Sequence, residues 1–541
     1  MRRHHSTTPR KSRTTTRVTH VLGSLLLVAA AGAFTVAATP AKGAPPAATP
    51  LSQVIPAPAS VHAGGAAYRI TSATRIRVDG GAEARRVGTY LADVLRPSTG
   101  YRLPLTTHGP AGIRLRLAGG PFGAEGYRLD SGPGGVTITA REPAGLFHGV
   151  QTLRQLLPAA VEKKSAQPGP WLVAGGTVQD SPRYAYRGAM LDVSRHFFTV
   201  DQVKRYIDEL ALYKVNELHL HLSDDQGWRI AIDSWPRLAT YGGSTQVGGG
   251  QGGYYTKADY KEIVRYAASR YLEVVPEIDM PGHTNAALAS YADLNCDGVA
   301  PPLYTGTKVG FSSLCVPKEA TYDFVDDVIR ELAAITPGRY LHIGGDEAHS
   351  TSHEDYVKFM DRVQPLVAKY GKTVIGWHQL TGATPVKGAL AQYWGLDSTS
   401  AAEKAQVAQA AQNGTGLILS PADRVYLDMK YTKDTPLGLA WAGYVEVQRS
   451  YDWDPGSYLP GAPASAVKGV EAPLWSETLS TSDQIEYMAF PRLPGAAELG
   501  WSPAATHDWD AYKVRLAAQA PRWDALGIGY YRSPQVPWPA E

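Results

Sequence analysis

The chain has 541 residues, 53 Lys+Arg against 50 Asp+Glu, a formal net charge of +3, 44% hydrophobic and 19% charged residues. That length calls for two or more compact units, and that composition excludes a disordered chain, a coiled coil and a collagen-like fibre. Two cysteines exclude a disulfide-dense scaffold and a four-cysteine zinc site, and so small a net charge gives no argument for nucleic acid as a partner.

The charge is concentrated at the front. Arg2, Arg3, Arg10, Lys11, Arg13 and Arg17 precede an apolar run from Val21 to Ala38, and no acidic residue comes before Asp79. A basic stretch, an apolar core and small residues around Ala38 and Ala41 have the form of a secretory signal peptide over 1–41. A Pro/Ala-rich segment, expected to be mobile, follows at 42–50. A membrane anchor is the alternative reading of the apolar run; its Ala and Gly content and the Pro/Ala stretch behind it favour cleavage. No later segment is apolar enough over sufficient length to span a bilayer, so a secreted protein is expected, with no membrane contact after cleavage. Taking the six leader cations from 53 leaves 47 basic against 50 acidic residues, a slightly acidic mature chain. In an oxidising compartment Cys296 and Cys315, 19 positions apart, can close a loop as a disulfide; two separate buried thiols are the alternative.

From 51 to 178 the pattern is that of a small mixed unit. Arg75-Ile-Arg-Val and Gly112-Ile-Arg-Leu-Arg-Leu are strand-like, and Ala84 to Leu95 and Ala144 to Leu157 have helical spacing. Gly126-Tyr-Arg-Leu and Val136-Thr-Ile-Thr-Ala read as an antiparallel pair around Gly132-Pro-Gly-Gly. The polar connector from Lys163 to Pro170 suits a domain boundary.

From 179 to 541 short apolar runs alternate with amphipathic helical stretches, the rhythm of βα units. Eight strands are expected, beginning at Gly188, Glu217, Leu272, Tyr340, Thr373, Ala389, Gly416 and Gly469. Thr199-Val-Asp-Gln and Thr256-Lys-Ala-Asp open helices with capping-box spacing. Eight such units predict an α/β fold, a (β/α)8 TIM barrel, preceded by a small α+β accessory domain. A doubly wound sheet is the weaker reading, because no Gly-x-Gly-x-x-Gly follows the first strand. The Gly-rich segment Gly242 to Gly253 lacks the ending of a phosphate loop and reads as a flexible βα loop.

Each expected strand runs into polar or aromatic residues: Asp192 and Arg195; Asp224 and Asp225; Glu277, Asp279 and His283; Asp346 and Glu347; Trp377; Trp394; Tyr426 and Asp428; Trp475 and Glu477. In a (β/α)8 barrel these ends converge on the C-terminal face, where active sites are built. Helix capping explains one acidic strand end, not eight polar ones. Carboxylates and an arginine hydrogen-bond sugar hydroxyls, while the faces of Trp377, Trp394, Trp441 and Trp475 suit the apolar side of a pyranose. In His342-Ile-Gly-Gly-Asp-Glu two glycines allow a tight turn, so that Asp346 and Glu347 need not point to opposite sides. Two carboxylates in an aromatic pocket drive their pKa values apart and leave one protonated near neutrality, as glycoside hydrolysis requires.

His342-Ile-Gly-Gly-Asp-Glu, Asp279-Met-Pro-Gly-His-Thr, His219-Leu-His-Leu-Ser-Asp-Asp-Gln-Gly-Trp-Arg and Gly252-Gly-Tyr-Tyr-Thr together resemble glycoside hydrolase family 20, the β-N-acetylhexosaminidases. The front unit, with Glu125-Gly-Tyr-Arg-Leu and Gly145-Leu-Phe-His-Gly-Val-Gln-Thr-Leu, is similar to that family's accessory domain. The resemblance implies retaining exo-hydrolysis of terminal β-linked N-acetylglucosamine or N-acetylgalactosamine, in which the substrate's own acetamide oxygen attacks the anomeric carbon to give an oxazolinium. It implies Glu347 as general acid and base, Asp346 as the partner of the acetamide N–H, and Tyr426 at the acetamide oxygen. Trp377, Trp394 and Trp441 would enclose the methyl group. Arg195, Asp428 and Glu477 would bind hydroxyls over the Trp475 platform, and Asp224 and His283 would form a relay to Glu347. The implied partners are chitooligosaccharides or glycoconjugate glycans, and neither a cofactor nor a metal is implied. A metal-dependent hydrolase using His219 and His221 is a weaker reading, since it leaves the tryptophans without a role. A sugar-binding protein without turnover is another, and it has no need of the Asp346–Glu347 pair.

Overall fold

The structure, a computed structural model, describes residues 48–540. The expected signal peptide at 1–41 and residues 42–47 of the segment behind it lie outside the described residues. The front unit contains nine strands: β1 (Ser60–Ala63), β2 (Tyr68–Ile70), β3 (Ile76–Asp79), β4 (Leu105–Thr106), β5 (Ile113–Leu117), β6 (Tyr127–Gly132), β7 (Gly135–Ala140), β8 (Trp171–Val173) and β9 (Gly176–Asp180). Seven form one mixed sheet in the order β1-β9-β6-β7-β5-β3-β4, and β2 pairs with β8 alone. Alternate residues such as Val136, Ile138 and Ala140 of β7 are buried, as a strand with one covered face requires. The antiparallel pair expected around Gly132 is β6 with β7.

The connector 163–170 lies inside this unit and not at its edge. After it, β8 returns to β2, and β9 inserts between β1 and β6. These strands are only three to five residues long, too short to show a period in the sequence. The helix Pro143–Leu156 is buried on nearly all sides. It is covered on one side by its own sheet, and on the other Gln155 donates to the Leu212 carbonyl of the barrel at 3.3 Å. Asp180, at the end of β9, accepts hydrogen bonds from Lys214 (3.0 Å), Tyr127 (2.9 Å) and Trp501 (2.9 Å), tying the front sheet to the barrel through one buried carboxylate.

The barrel is closed by eight parallel strands, β10 (Tyr186–Asp192), β11 (Glu217–His221), β12 (Glu273–Glu277), β13 (Tyr340–His342), β14 (Thr373–Trp377), β15 (Leu390–Tyr393), β16 (Gly416–Leu419) and β17 (Val467–Leu474), with β17 pairing back to β10. Thr199 and Thr256 form the expected capping boxes. The period of two along each strand stacks the interior in layers. Tyr186, Val275, Tyr340, Ile375, Leu390 and Ile418 make an apolar plug. Two residues further along come Glu277 after Val275, His342 after Tyr340, Trp377 after Ile375 and Gln392 after Leu390. The barrel interior thus changes along its axis from an apolar layer to a polar one that also holds Trp377.

Two long loops flank the mouth. The Gly242–Gly253 loop is pinned and not free: buried Arg229 donates to the carbonyls of Gly243, Thr245 and Gly253, and also to those of Val193 and Ser194. The loop after β12 carries the Cys296–Cys315 disulfide. Replacing both cysteines by serine is expected to lower unfolding free energy by about 3 kcal/mol, through the added freedom of the unfolded loop. Thermal or denaturant unfolding under non-reducing conditions checks this, and equal midpoints would refute it. Among the described residues no helix is long and apolar enough to cross a membrane.

Candidate active site

The segment after β13 builds the centre. Gly344 (φ 66°) and Gly345 (φ 100°) take left-handed backbone, and a Cβ on Gly344 would lie 1.7 Å from Asp279 Oδ1. That close approach lets the Gly345 amide donate to Asp279 Oδ1 at 3.0 Å. The chain turns sharply, and both Asp346 and Glu347 reach the same imidazole: His283 Nε2 is 3.7 Å from Asp346 Oδ2 and 3.2 Å from Glu347 Oε2. Glu347 (φ 46°) and His283 (φ 57°) are themselves left-handed, a strained conformation for residues with side chains and one that concentrates at functional sites. His283 Nδ1 faces Asp224 Oδ1 at 3.1 Å.

Electrostatics divides the pair. Burial and the neighbouring Glu347 charge push Asp346 up to about 6, against the opposing pull of His283. Burial would raise Glu347 too, but the closely apposed His283 and its charge hold it below the ordinary carboxylate range. Burial works against charge on His283, and Asp224 and Asp346 overcome it, keeping its pKa well above that of a free imidazole. The split expected from two adjacent carboxylates is present, but the raised member is Asp346. The reason is position: the Asp346 side chain is 10% exposed and that of Glu347 is 29% exposed, directly beside the imidazolium.

A second group of polar side chains gathers Arg195, Asp428 and Glu477 near Trp475. Arg195 Nη1 lies 2.9 Å from Asp224 Oδ2, and its guanidinium sits 4.7 Å from the Trp475 ring centre. Both oxygens of Asp428 and Oε2 of Glu477 are buried and make no hydrogen bond within the described residues. Burial, with Glu477 close by, drives Asp428 well above the ordinary carboxylate range. Buried acceptors without partners are expensive, and a polyhydroxylated ligand would satisfy them.

The aromatic residues form an apolar cluster apart from the main core. Trp377, Tyr426 and Trp475 are buried in it with Met190 and Met429, and Trp394 packs at its edge. Trp377 and Trp475 are 5.7 Å apart, and Trp441 meets Trp394 edge-on at 6.0 Å and Tyr426 at 5.8 Å. Trp441 is half exposed, which leaves a face to the opening. The twelve residues singled out in the sequence therefore lie together. The two cysteines close the loop after β12, in which a Cβ on Gly310 would meet His349 and the Glu347 carbonyl.

Beneath this site lie His219, Glu277, His342, Gln392 and Glu471; in the sequence Glu277 stands out only as a polar strand end and His219 only as a ligand in the weaker metal reading, and Gln392 and Glu471 are not singled out. Their sequence signal was polar residues at alternate, inward-facing positions of otherwise apolar strands. His219, Glu277 and His342 hold candidate ligand atoms within 4.8 Å of one another, and so do three overlapping sets above them built from His221, Asp224, Asp225, Asp279, His283 and Asp346. His219, His221 and His283 each face carboxylates through both ring nitrogens, an arrangement that suits protons better than the lone pairs a metal needs.

The glycosyl hydrolase family 20 catalytic-domain model matches residues 184–358 and 349–504, and the model of that family's domain 2 matches 51–181. The β-N-acetylhexosaminidase of Cellulomonas fimi is 43% identical over 491 residues, 90% of this chain and 97% of the relative. A solved mutant Streptomyces plicatus beta-hexosaminidase in complex with product GlcNAc is 82% identical, covers 92% of this chain and 99% of its own, and superposes with a TM-score of 0.91. The β-N-acetylhexosaminidase of Streptomyces coelicolor gives the same identity and TM-score over 91% of this chain and all of its own. With the paired carboxylates at the mouth of a closed eight-stranded barrel and both domains matched, this chain belongs to glycosyl hydrolase family 20 and is a glycoside hydrolase.

Proposed function

We propose that the protein is a secreted exo-β-N-acetylhexosaminidase that removes terminal, non-reducing β-linked N-acetylglucosamine or N-acetylgalactosamine with retention. Chitooligosaccharides or glycoconjugate glycans are its substrates. The observation that carries this reading is the Asp346–Glu347 pair on one imidazole, facing an apolar aromatic box and buried carboxylates without partners. In the proposed reaction the acetamide oxygen attacks the anomeric carbon while Glu347 gives its proton to the leaving oxygen, and an oxazolinium forms. Glu347 then takes a proton from water as that water opens the ring. Tethering the nucleophile to the reacting sugar supplies proximity that a free nucleophile lacks. Asp346 accepts from the acetamide N–H and stabilises its growing positive charge. Tyr426 steadies the acetamide oxygen, and Trp377, Trp394 and Trp441 enclose its methyl group. Arg195, Asp428 and Glu477 hold the terminal hydroxyls over Trp475, which favours exo-action. The basic and apolar leader supports export.

Purified protein is expected to release the chromophore from an aryl β-N-acetylglucosaminide, undiminished by chelators, and to leave the matching aryl β-glucoside almost untouched. Equal cleavage of the plain glucoside would exclude acetamide participation. Binding of the acetamido sugar without turnover would leave only a glycan-binding protein.

A further inference from the structure

Glu277, at the end of β12, is fully buried and receives three donors from two other strands. Its Oε2 accepts from His219 Nε2 at 2.9 Å and from His221 Nδ1, and its Oε1 accepts from Trp377 Nε1 at 2.9 Å. His221 Nε2 continues to Asp224 Oδ2 at 2.6 Å, and Asp224 to His283 and so to Glu347. In the other direction His219 Nδ1 meets Glu471 Oε1 at 2.8 Å, and Glu471 also accepts from Gln392 (2.7 Å) and Tyr186 (2.5 Å). The series Glu471, His219, Glu277, His221, Asp224, His283, Glu347 alternates acid and imidazole without a break. Several kcal/mol of desolvation attend each buried ion, and an apolar layer of the same volume would be no less stable. Stability alone does not account for the series.

We propose that Glu277 is a positioning residue for the hydrolysis. Through His221 and Asp224 it sets how tightly His283 and Glu347 hold the proton they share, keeping that proton transferable, and through Trp377 it fixes a wall of the acetamide box. This rests on the function proposed above. Directions of titration agree with it. Burial opposes charge on His219 and His221, but Glu471 and Glu277 raise the first to about 9, and Glu277 and Asp224 raise the second well above its free value. His342, beside Glu277, is kept neutral by burial and accepts the Gly344 amide at Nδ1, so it is not a station of the series. Asp279 and Asp346 also face Glu277 and His283, and Arg195 and His349 face Glu347. Asp224 and Arg195 also flank His221.

Removing the charge of Glu277 leaves His221 without one counterion, and His221 gives up a proton. Asp224 is then less compensated, so His283 and Glu347 together hold their shared proton more tightly. In Glu277→Gln the alkaline limb of the kcat/KM profile is expected to move up by about 0.5–1 pH unit, with kcat reduced about tenfold. Glu471→Gln, one station further away, should move the limb the same way by less. Unchanged profiles in both folded variants would overturn the proposal, whatever their residual rates. Neutron diffraction on the wild-type protein near neutral pH needs no variant. Hydrogen on both ring nitrogens of His219, His221 and His283 supports the charged series, and a singly protonated His221 overturns it. Wild-type inactivity toward acetamido sugars would instead refute the function proposed above, and the neutron result is independent of that.

Discussion

Glu347→Gln is expected to lower kcat/KM by about 10²–10⁴ on oligosaccharides while leaving KM within a few-fold. The substitution keeps the shape of the side chain, which lies 3.2 Å from His283, and removes the carboxyl group's charge and its capacity to give and take a proton. A sugar alkoxide is a poor leaving group and needs that proton as its bond to the anomeric carbon breaks. An aryl substrate with an acidic phenol needs it much less, so the loss in the first, bond-breaking step should shrink as the leaving group improves. Steady-state rates across a series of aryl N-acetylglucosaminides check this. A loss independent of leaving-group acidity would assign Glu347 a structural role. The unliganded site holds Glu347 as a carboxylate beside charged His283, so the proton it donates has to be drawn from that pair once the substrate excludes water.

Asp346→Asn should cost about 10²–10³ in kcat, the scale on which loss of one preorganised electrostatic partner of the transition state is felt. The same residue predicts an acid limb. Its pKa lies at about 6 against an ordinary 3.8, so the carboxylate is present above pH 6 and lost as pH falls through it. The kcat/KM profile of the wild type should therefore decline on the acid side of about pH 6, and Asp346→Asn should lack that limb. Stability has the opposite sign. The folded protein binds this proton more tightly than the unfolded chain, so this carboxyl makes folding progressively less favourable as pH rises from about 4 to 6. Asp346→Asn should thus melt higher than wild type at neutral pH, a gain in stability set against a loss in rate. A variant that is both inactive and less stable would show that the buried charge is structural.

Much of this was legible before the fold was known. The eight barrel strands were found as short apolar runs, because burial on both faces leaves a local mark on each. Their polar ends named the site, because a parallel barrel brings those ends together. The front sheet was half legible: β5, β6 and β7 alternate clearly, whereas β1, β8 and β9 are short strands recognised only by the partners they find. For that reason the connector 163–170 has the local composition of a boundary although β8 and β9 beyond it complete the front unit.

The sequence by itself determined the barrel, the residues at its mouth and the family. Those depend on periodicity, strand ends and contiguous motifs, each contained within about ten residues. Only the tertiary structure decided where the charge resides. That His283 is pushed toward its charged form, that Glu347 is held low while Asp346 is pushed up, and that Glu277 gathers His219, His221 and Trp377 all follow from contacts between residues 56 to 100 positions apart or from depth of burial. A side chain's proton affinity is set by the counterions and the water around it, and no local run of residues encodes those.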